Sequence, residues 1–170
     1  MRHGTKGVVI GLTGLGLIAG AAALLVHAND DDSPATATPA ASARADARGV
    51  AITVYKSPTC GCCTSWVEHL REHGFAVEAI DTDTASAVKA RLGVPAHLGA
   101  CHTAVVQGKV VEGHVPADVI LAFLADSTDA RGLAVPGMPI GSPGMEAPFA
   151  QPYDVFAFDA DGGASVYASR

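Results

Sequence analysis

Three cysteines fall within four positions of the stretch SPTCGCCTSW, at Cys60, Cys62 and Cys63, and a fourth, Cys101, follows later beside His102. Sulfurs at this density support three chemistries. Outside the cytoplasm an even number of cysteines is the usual setting for structural disulfides, although Cys62 and Cys63, as neighbours, do not readily pair with each other. Cys60 and Cys63 also form a C-x-x-C pair, the arrangement of dithiol oxidoreductases. There the first thiol, at a helix N-terminus, is acidified and attacks, and the second resolves; Cys62 and Cys101 would then have no task. The third chemistry is a soft metal site, which needs all four sulfurs to converge. Thiolates select Cu(I), zinc or iron–sulfur clusters. Structural zinc usually shows two separated ligand pairs, and the second pair here would have to be Cys101-His102, so zinc is the weaker fit. Cu(I) accepts low coordination and bridging thiolates, so crowded sulfurs suit one ion or several. Imidazole and thioether donors from His102, His114, Met138 and Met145 would be compatible additions.

The order of elements decides whether those sulfurs can meet. AITVYK (51–56) is β-branched and ends at Ser57-Pro58, which predicts a strand. Cys63, Trp66, Val67 and Leu70 then recur at the spacing of one helix face, and Gly74 stops the helix. FAVEAID (75–81) predicts a second strand, and Thr84 and Gly93 bracket a short helix through Leu92. TAVVQ and KVVEG, joined at Gly108, predict a hairpin. Pro116 is placed at the first position of a last helix, with Asp118 in its first turn and Ile120, Leu121, Phe123 and Leu124 on its apolar side. The order β-α-β-α-β-β-α predicts an α/β fold of thioredoxin-like type, with the cysteine-bearing turn between the first strand and the first helix. Beyond it, GLAVPGMPIGSPGMEAP is expected to be a loop, and YDVFAFD and ASVYAS, around Gly162-Gly163, a terminal hairpin.

On this scaffold each candidate has an expected place. Cys60 starts the helix, where unpaired N–H groups and the helix dipole favour a thiolate. Cys63 heads the apolar stripe and should be shielded. Cys62, turned about 100° from it, should be peripheral. Cys101 precedes the third strand, where thioredoxin-like folds carry a cis-proline loop over the active turn; here Cys101-His102 take that place, which would bring a fourth sulfur to the trio. His102 suits either direct ligation or support of a ligand, and His114 suits a hydrogen bond that fixes its loop. His69 and His73 have metal-ligand spacing on one helix face, but with Glu68, Arg71 and Glu72 around them they read as solvated surface. His97 has only its position before Cys101 to recommend it. Met138, between Pro136 and Pro139, and Met145 are candidate soft donors, and Trp66 is a core anchor.

The N-terminus carries Arg2 and Lys6, then an uncharged apolar run from Val8 to Val26 that ends at Val26-His27-Ala28. Residues 1–28 therefore read as an export signal or an uncleaved membrane anchor, and the remainder as lying outside the cytoplasm. Residues 29–48 have no large apolar side chain and read as a disordered linker. Residues 49–170 suit one small domain. A formal charge of −6 argues against a nucleic-acid partner, and the membrane is expected only as a partner of the N-terminal segment.

Four motifs in order, VYKSPTCGCCTSWVEHLREHGF, VPAHLGACHTAVV, VEGHVPADVI and RGLAVPGMPIGSPGME, resemble the CopG-like copper-resistance family, exported bacterial proteins formerly grouped as a domain of unknown function. The resemblance spans residues 51 to 159. It implies a thioredoxin-like fold, copper bound through Cys60, Cys62, Cys63 and Cys101, and a role in periplasmic copper handling that includes interconversion of Cu(I) and Cu(II). Other periplasmic copper-handling proteins are the partners it implies.

Overall fold

The computed structural model describes residues 47–170. The expected export segment (1–28) and nearly all of the expected linker (29–48) lie outside the described residues. In chain order the described part runs β1 (Ala51–Lys56), α1 (Gly61–Glu72), β2 (Ala76–Asp81), α2 (Ala85–Leu92), a single 3₁₀ turn (Ala96–Leu98), β3 (Thr103–Val106), β4 (Lys109–Glu112) and α3 (Ala117–Ala125). Three more strands follow: β5 (Gly132–Ala134), β6 (Asp154–Phe158) and β7 (Ala164–Ser169). This is the expected thioredoxin-like core with a C-terminal addition. No helix among the described residues is long and apolar enough to cross a membrane.

One seven-stranded sheet in the order β2-β1-β3-β4-β5-β6-β7 unites core and addition. The β1–β2 and β4–β5 pairs are parallel and the others antiparallel. Gln107 and Gly108 join β3 to β4 with φ of 48° and 78°, the two positive values that a tight primed turn requires and that match strand twist. Strand alternation divides the core. Ile52, Val54, Ala104, Val106, Val111 and Leu133 face a cluster with Trp66, Val67 and Leu70 of α1 and Ile120 and Phe123 of α3. On the other side Val110, Ala134 and Phe158 pack with Leu92 and Leu98, at and after the end of α2. Helical cover on both faces is what lets the central strands be apolar throughout.

Two details depart from the sequence reading. Pro116 caps α3 rather than opening it, with an extended backbone (φ −63°, ψ 144°), and its carbonyl accepts hydrogen bonds from the Val119 and Ile120 N–H groups. More consequentially, the stretch expected to be wholly loop begins with β5. Three residues are too few to show alternation, and the leading glycine disguises the strand. That glycine is there for contact: a Cβ on Gly132 would stand 2.1 Å from the Val110 carbonyl oxygen. β5 is the joint between the core and the terminal hairpin. Gly132→Ala should therefore cost about 2–3 kcal/mol, as overpacking against backbone does, read as a lower urea midpoint; an unchanged midpoint would mean that β5 does not pack against β4 in this register.

Candidate metal centre

The antiparallel register brings the cysteines together. Tyr55 of β1 pairs with Thr103 of β3, so the chain leaving β1 toward the cysteine turn and the chain entering β3 from Cys101 lie at the same end of the sheet. The ligand atoms of Cys60, Cys62, Cys63 and Cys101 all fall within 4.8 Å of one another. Cys60 is the residue before α1, in an extended conformation with no side-chain cap bond. Cys63, one turn on, is fully buried. The two are joined as a disulfide with Cα atoms 5.3 Å apart, so the C-x-x-C pair is present in its oxidised form and Cys60 is not the free thiolate expected at a helix start. Cys62 and Cys101 are free thiols, each partly exposed, and Cys62 Sγ lies 3.5 Å from Cys60 Sγ.

A carboxylate without solvent exposure fixes the Cys101 loop. Glu112, directly across from Thr103 in the β3–β4 register, is 0 % exposed. Its Oε1 accepts from the Ala100 backbone N–H at 2.6 Å and from Lys89 Nζ at 2.6 Å, and its Oε2 accepts from Thr103 Oγ1 at 2.5 Å. Ala100 and Thr103 flank Cys101 and His102, so this one side chain clamps the loop on both sides. Lys89 reaches it from α2, with a further bond to Thr103 Oγ1 at 3.1 Å. Sequence reasoning passed over Lys89, Thr103 and Glu112. The one available signal was a glutamate at the end of an otherwise apolar strand, a position whose burial only the completed sheet reveals.

Two imidazoles complete the centre. β3 begins only at Thr103, so His102 is not yet on an alternating strand and its ring lies beside the sulfur: Cys101 Sγ is 3.3 Å from His102 Nδ1 and 3.1 Å from His114 Nε2. Both rings are fully buried. His102 stacks on Trp66, with ring centroids 4.3 Å apart, and the Trp66 indole N–H donates to the Val115 carbonyl at 2.9 Å, which anchors the tryptophan in the core as expected. His114 does fix a loop, donating from Nδ1 to the Pro143 carbonyl at 2.8 Å. That loop closes over the site. Gly137 N–H donates to the Gly99 carbonyl, and Gly144, at φ 83°, sits so close to α1 that a Cβ would be 2.7 Å from the Cys62 carbonyl oxygen. Met138 on the same loop is 53 % exposed, and Met145 is half-buried.

Burial governs the electrostatics. It pushes the Cys101 thiol up to about 12, assisted by the neighbouring Cys62 and opposed by the Lys89 ammonium, so without a cation Cys101 carries its proton. It also lowers His102 to about 3, helped by His114 and Lys89, and lowers His114. Both rings are neutral and offer lone pairs.

The other histidines have different tasks. His69 is not simply solvated: its Nε2 accepts the Ala117 N–H at 3.1 Å, tying α1 to the start of α3. His73 Nδ1 lies 2.7 Å from the His69 carbonyl oxygen. His97 is exposed on the 3₁₀ turn.

A family model described as a protein of unknown function, DUF411, matches residues 98–145, the segment from the Cys101 loop through Met145. Two solved structures, described as forms 1 and 2 of copper resistance protein copG, are each 48 % identical to this chain with a TM-score of 0.69. Each covers 72 % of this chain, and the alignment takes in 99 % of the form 2 chain and 98 % of the form 1 chain. No protein of curated function matches the sequence.

Two outcomes follow from this geometry. Glu112→Gln keeps the shape but leaves Lys89 without its counter-charge, so it should destabilise the protein by about 3–5 kcal/mol in urea denaturation; a loss below about 1 kcal/mol would show that the pair is not holding the loop. His69 is depressed from 6.5 to about 4, by burial first and by His73 second, so the folded state binds fewer protons than the unfolded state between these values. Stability should fall as the pH drops through that window and His69 should add no further loss below it. In His69→Gln the fall, measured as Tm against pH, should be shallower; an identical profile would remove His69 as a contributor.

Proposed function

Because the chain belongs to the CopG-like copper-resistance family, we propose that it holds Cu(I) through Cys60, Cys62, Cys63 and Cys101 in their reduced form and contributes to copper tolerance from the periplasm. The observation that carries this reading is the convergence of four sulfurs within 4.8 Å. Four thiolates form a soft, anionic donor set, which favours Cu(I) over harder ions, and bridging sulfurs accommodate one ion or several. His102 and His114 supply imidazole beside Cys101, and Met138, on the overlying loop, is a thioether donor able to join once an ion is seated.

Redox conversion follows from the same pair of residues. Reduced Cys60 and Cys63 give up two protons and two electrons as their disulfide forms, and two Cu(II) ions accept one electron each to become two Cu(I). Resetting the disulfide to the dithiol for another round requires a two-electron reductant, such as a dithiol of another protein. The C-x-x-C disulfide itself favours a second reading, thiol–disulfide exchange on protein substrates by Cys60 with Cys63 resolving.

Anaerobic titration of the fully reduced chain with Cu(I), against a competing chelator, separates the two. Cu(I) should bind, and Cys101→Ser should weaken it by more than the roughly 10–100-fold lost when a supporting contact is removed. A wild-type chain that takes up no Cu(I), together with a Cys101→Ser variant that still exchanges disulfides at the wild-type rate, would replace copper binding with the exchange reading.

A further inference from the structure

Closing the Cys60–Cys63 disulfide leaves Cys62 and Cys101 as thiols, and the two are neighbours. Their sulfurs belong to the group whose members all lie within 4.8 Å of one another. Among the side chains around Cys101, Cys62 acts most strongly on its thiol, through charge and through a hydrogen bond. Both residues are partly exposed, whereas Cys63 is fully buried, so an oxidant reaches this pair from solvent.

The backbone holds the pair where a bond can close. Cys62 lies in the first turn of α1, and Cys101 lies in the loop that Glu112 pins through the Ala100 N–H and the Thr103 hydroxyl. The pairing of Tyr55 with Thr103 sets both at one end of the sheet. A disulfide needs sulfurs about 2.05 Å apart, so from a separation of at most 4.8 Å each has about 1.4 Å to travel. Rotating χ1 from one staggered well to the next carries Sγ by about 3 Å. Side-chain rotation therefore spans the gap while the clamped loop stays in place. The choice of partner is also fixed: the chain has four cysteines, and once Cys60 and Cys63 are joined each remaining thiol has only the other.

We propose that Cys62 and Cys101 are a second redox pair, which closes to a disulfide after Cys60–Cys63 and makes the chain a four-electron reductant. Each closure forms one S–S bond, releases two protons to solvent and gives up two electrons. With Cu(II) as the acceptor, four thiols become two disulfides and four protons, and four Cu(II) become four Cu(I). The second closure is also a release step. It removes the last two thiolates, the ligands that select Cu(I), so the fully oxidised chain hands its ions on. From the proposed function this takes only Cu(II) as the natural oxidant.

Ferricyanide is the probe for the pair itself, because it accepts one electron and brings no copper. The full chain, reduced and freed of metal, should consume four equivalents under anaerobic conditions, one for each cysteine. It should run as a monomer on a non-reducing gel and keep no thiol open to iodoacetamide. Tryptic digestion should then leave residues 57–71, which hold Cys60, Cys62 and Cys63, covalently joined to residues 92–109, which hold Cys101. Cys62→Ser and Cys101→Ser should each stop at two equivalents and lose the cross-link. Cu(II) supplied with a Cu(I)-specific chelator should yield four Cu(I) per chain, and half as many from either variant. Two equivalents of ferricyanide with two thiols still open to iodoacetamide, a covalent dimer, or a cross-link that survives Cys62→Ser would overturn the proposal. Four equivalents of ferricyanide with no Cu(I) formed would uphold the pair and remove copper reduction from the proposed function. The ferricyanide count and the peptide map use the unaltered chain, so a variant that fails to fold leaves both standing.

Discussion

Glu112 carries a negative charge to a place with no solvent, and the groups that make this tolerable are the ones that position Cys101. An unpaired carboxylate there would cost several kcal/mol, so the Lys89 ammonium, the Ala100 N–H and the Thr103 hydroxyl must all be in place when the protein is folded. Fixing Ala100 and Thr103 leaves the two residues between them little freedom, and those residues are Cys101 and His102. The same Lys89 charge acts on the Cys101 thiol in the direction of ionisation. Geometry and charge at the fourth sulfur therefore share one origin, in a strand residue and a helix residue that touch no sulfur themselves.

The C-terminal addition has a comparable dual part. β5 splices it into the sheet beside β4, and the chain then passes over the cysteine turn, where Pro143 receives His114 and Gly144 lies against α1. A thioredoxin-like core leaves its active turn open to large partners. Here the turn has a cover whose approach to α1 is close enough to exclude any side chain at residue 144.

Much of this was legible in advance, for reasons that differ by residue. β1 and the buried face of α1 follow from periodicity, since alternation and the 3.6-residue repeat are local signals. The meeting of Cys101 with the other cysteines follows from topology, because a cysteine turn after β1 and the chain entering an antiparallel β3 share one end of the sheet. β5 was hidden because a strand of three residues led by glycine has no local signature; only the Val110 carbonyl explains Gly132. The Glu112 clamp was hidden because burial of a charge depends on partners far apart in sequence. His69 misled for the opposite reason: its neighbours are charged, yet its ring turns inward to the N-terminus of α3.

The disulfide state sets how many thiolates the centre can offer: four when Cys60 and Cys63 are reduced, two when they are joined. In the proposed function this makes copper affinity and thiol potential two readings of one coupling free energy, and such coupling is reciprocal. If reduction raises the affinity for Cu(I), then bound Cu(I) must stabilise the dithiol by the same amount. Each tenfold of differential affinity raises the reduction potential of the two-electron couple by about 30 mV. Cu(I) held by four thiolates thus protects the ligands that hold it from oxidation. Cu(II) is itself a one-electron acceptor, so in the proposed function two Cu(II) ions draw electrons from the dithiol where Cu(I) would guard them. The direction of electron flow is then decided by the ion that arrives, with no moving part beyond two sulfurs one helical turn apart.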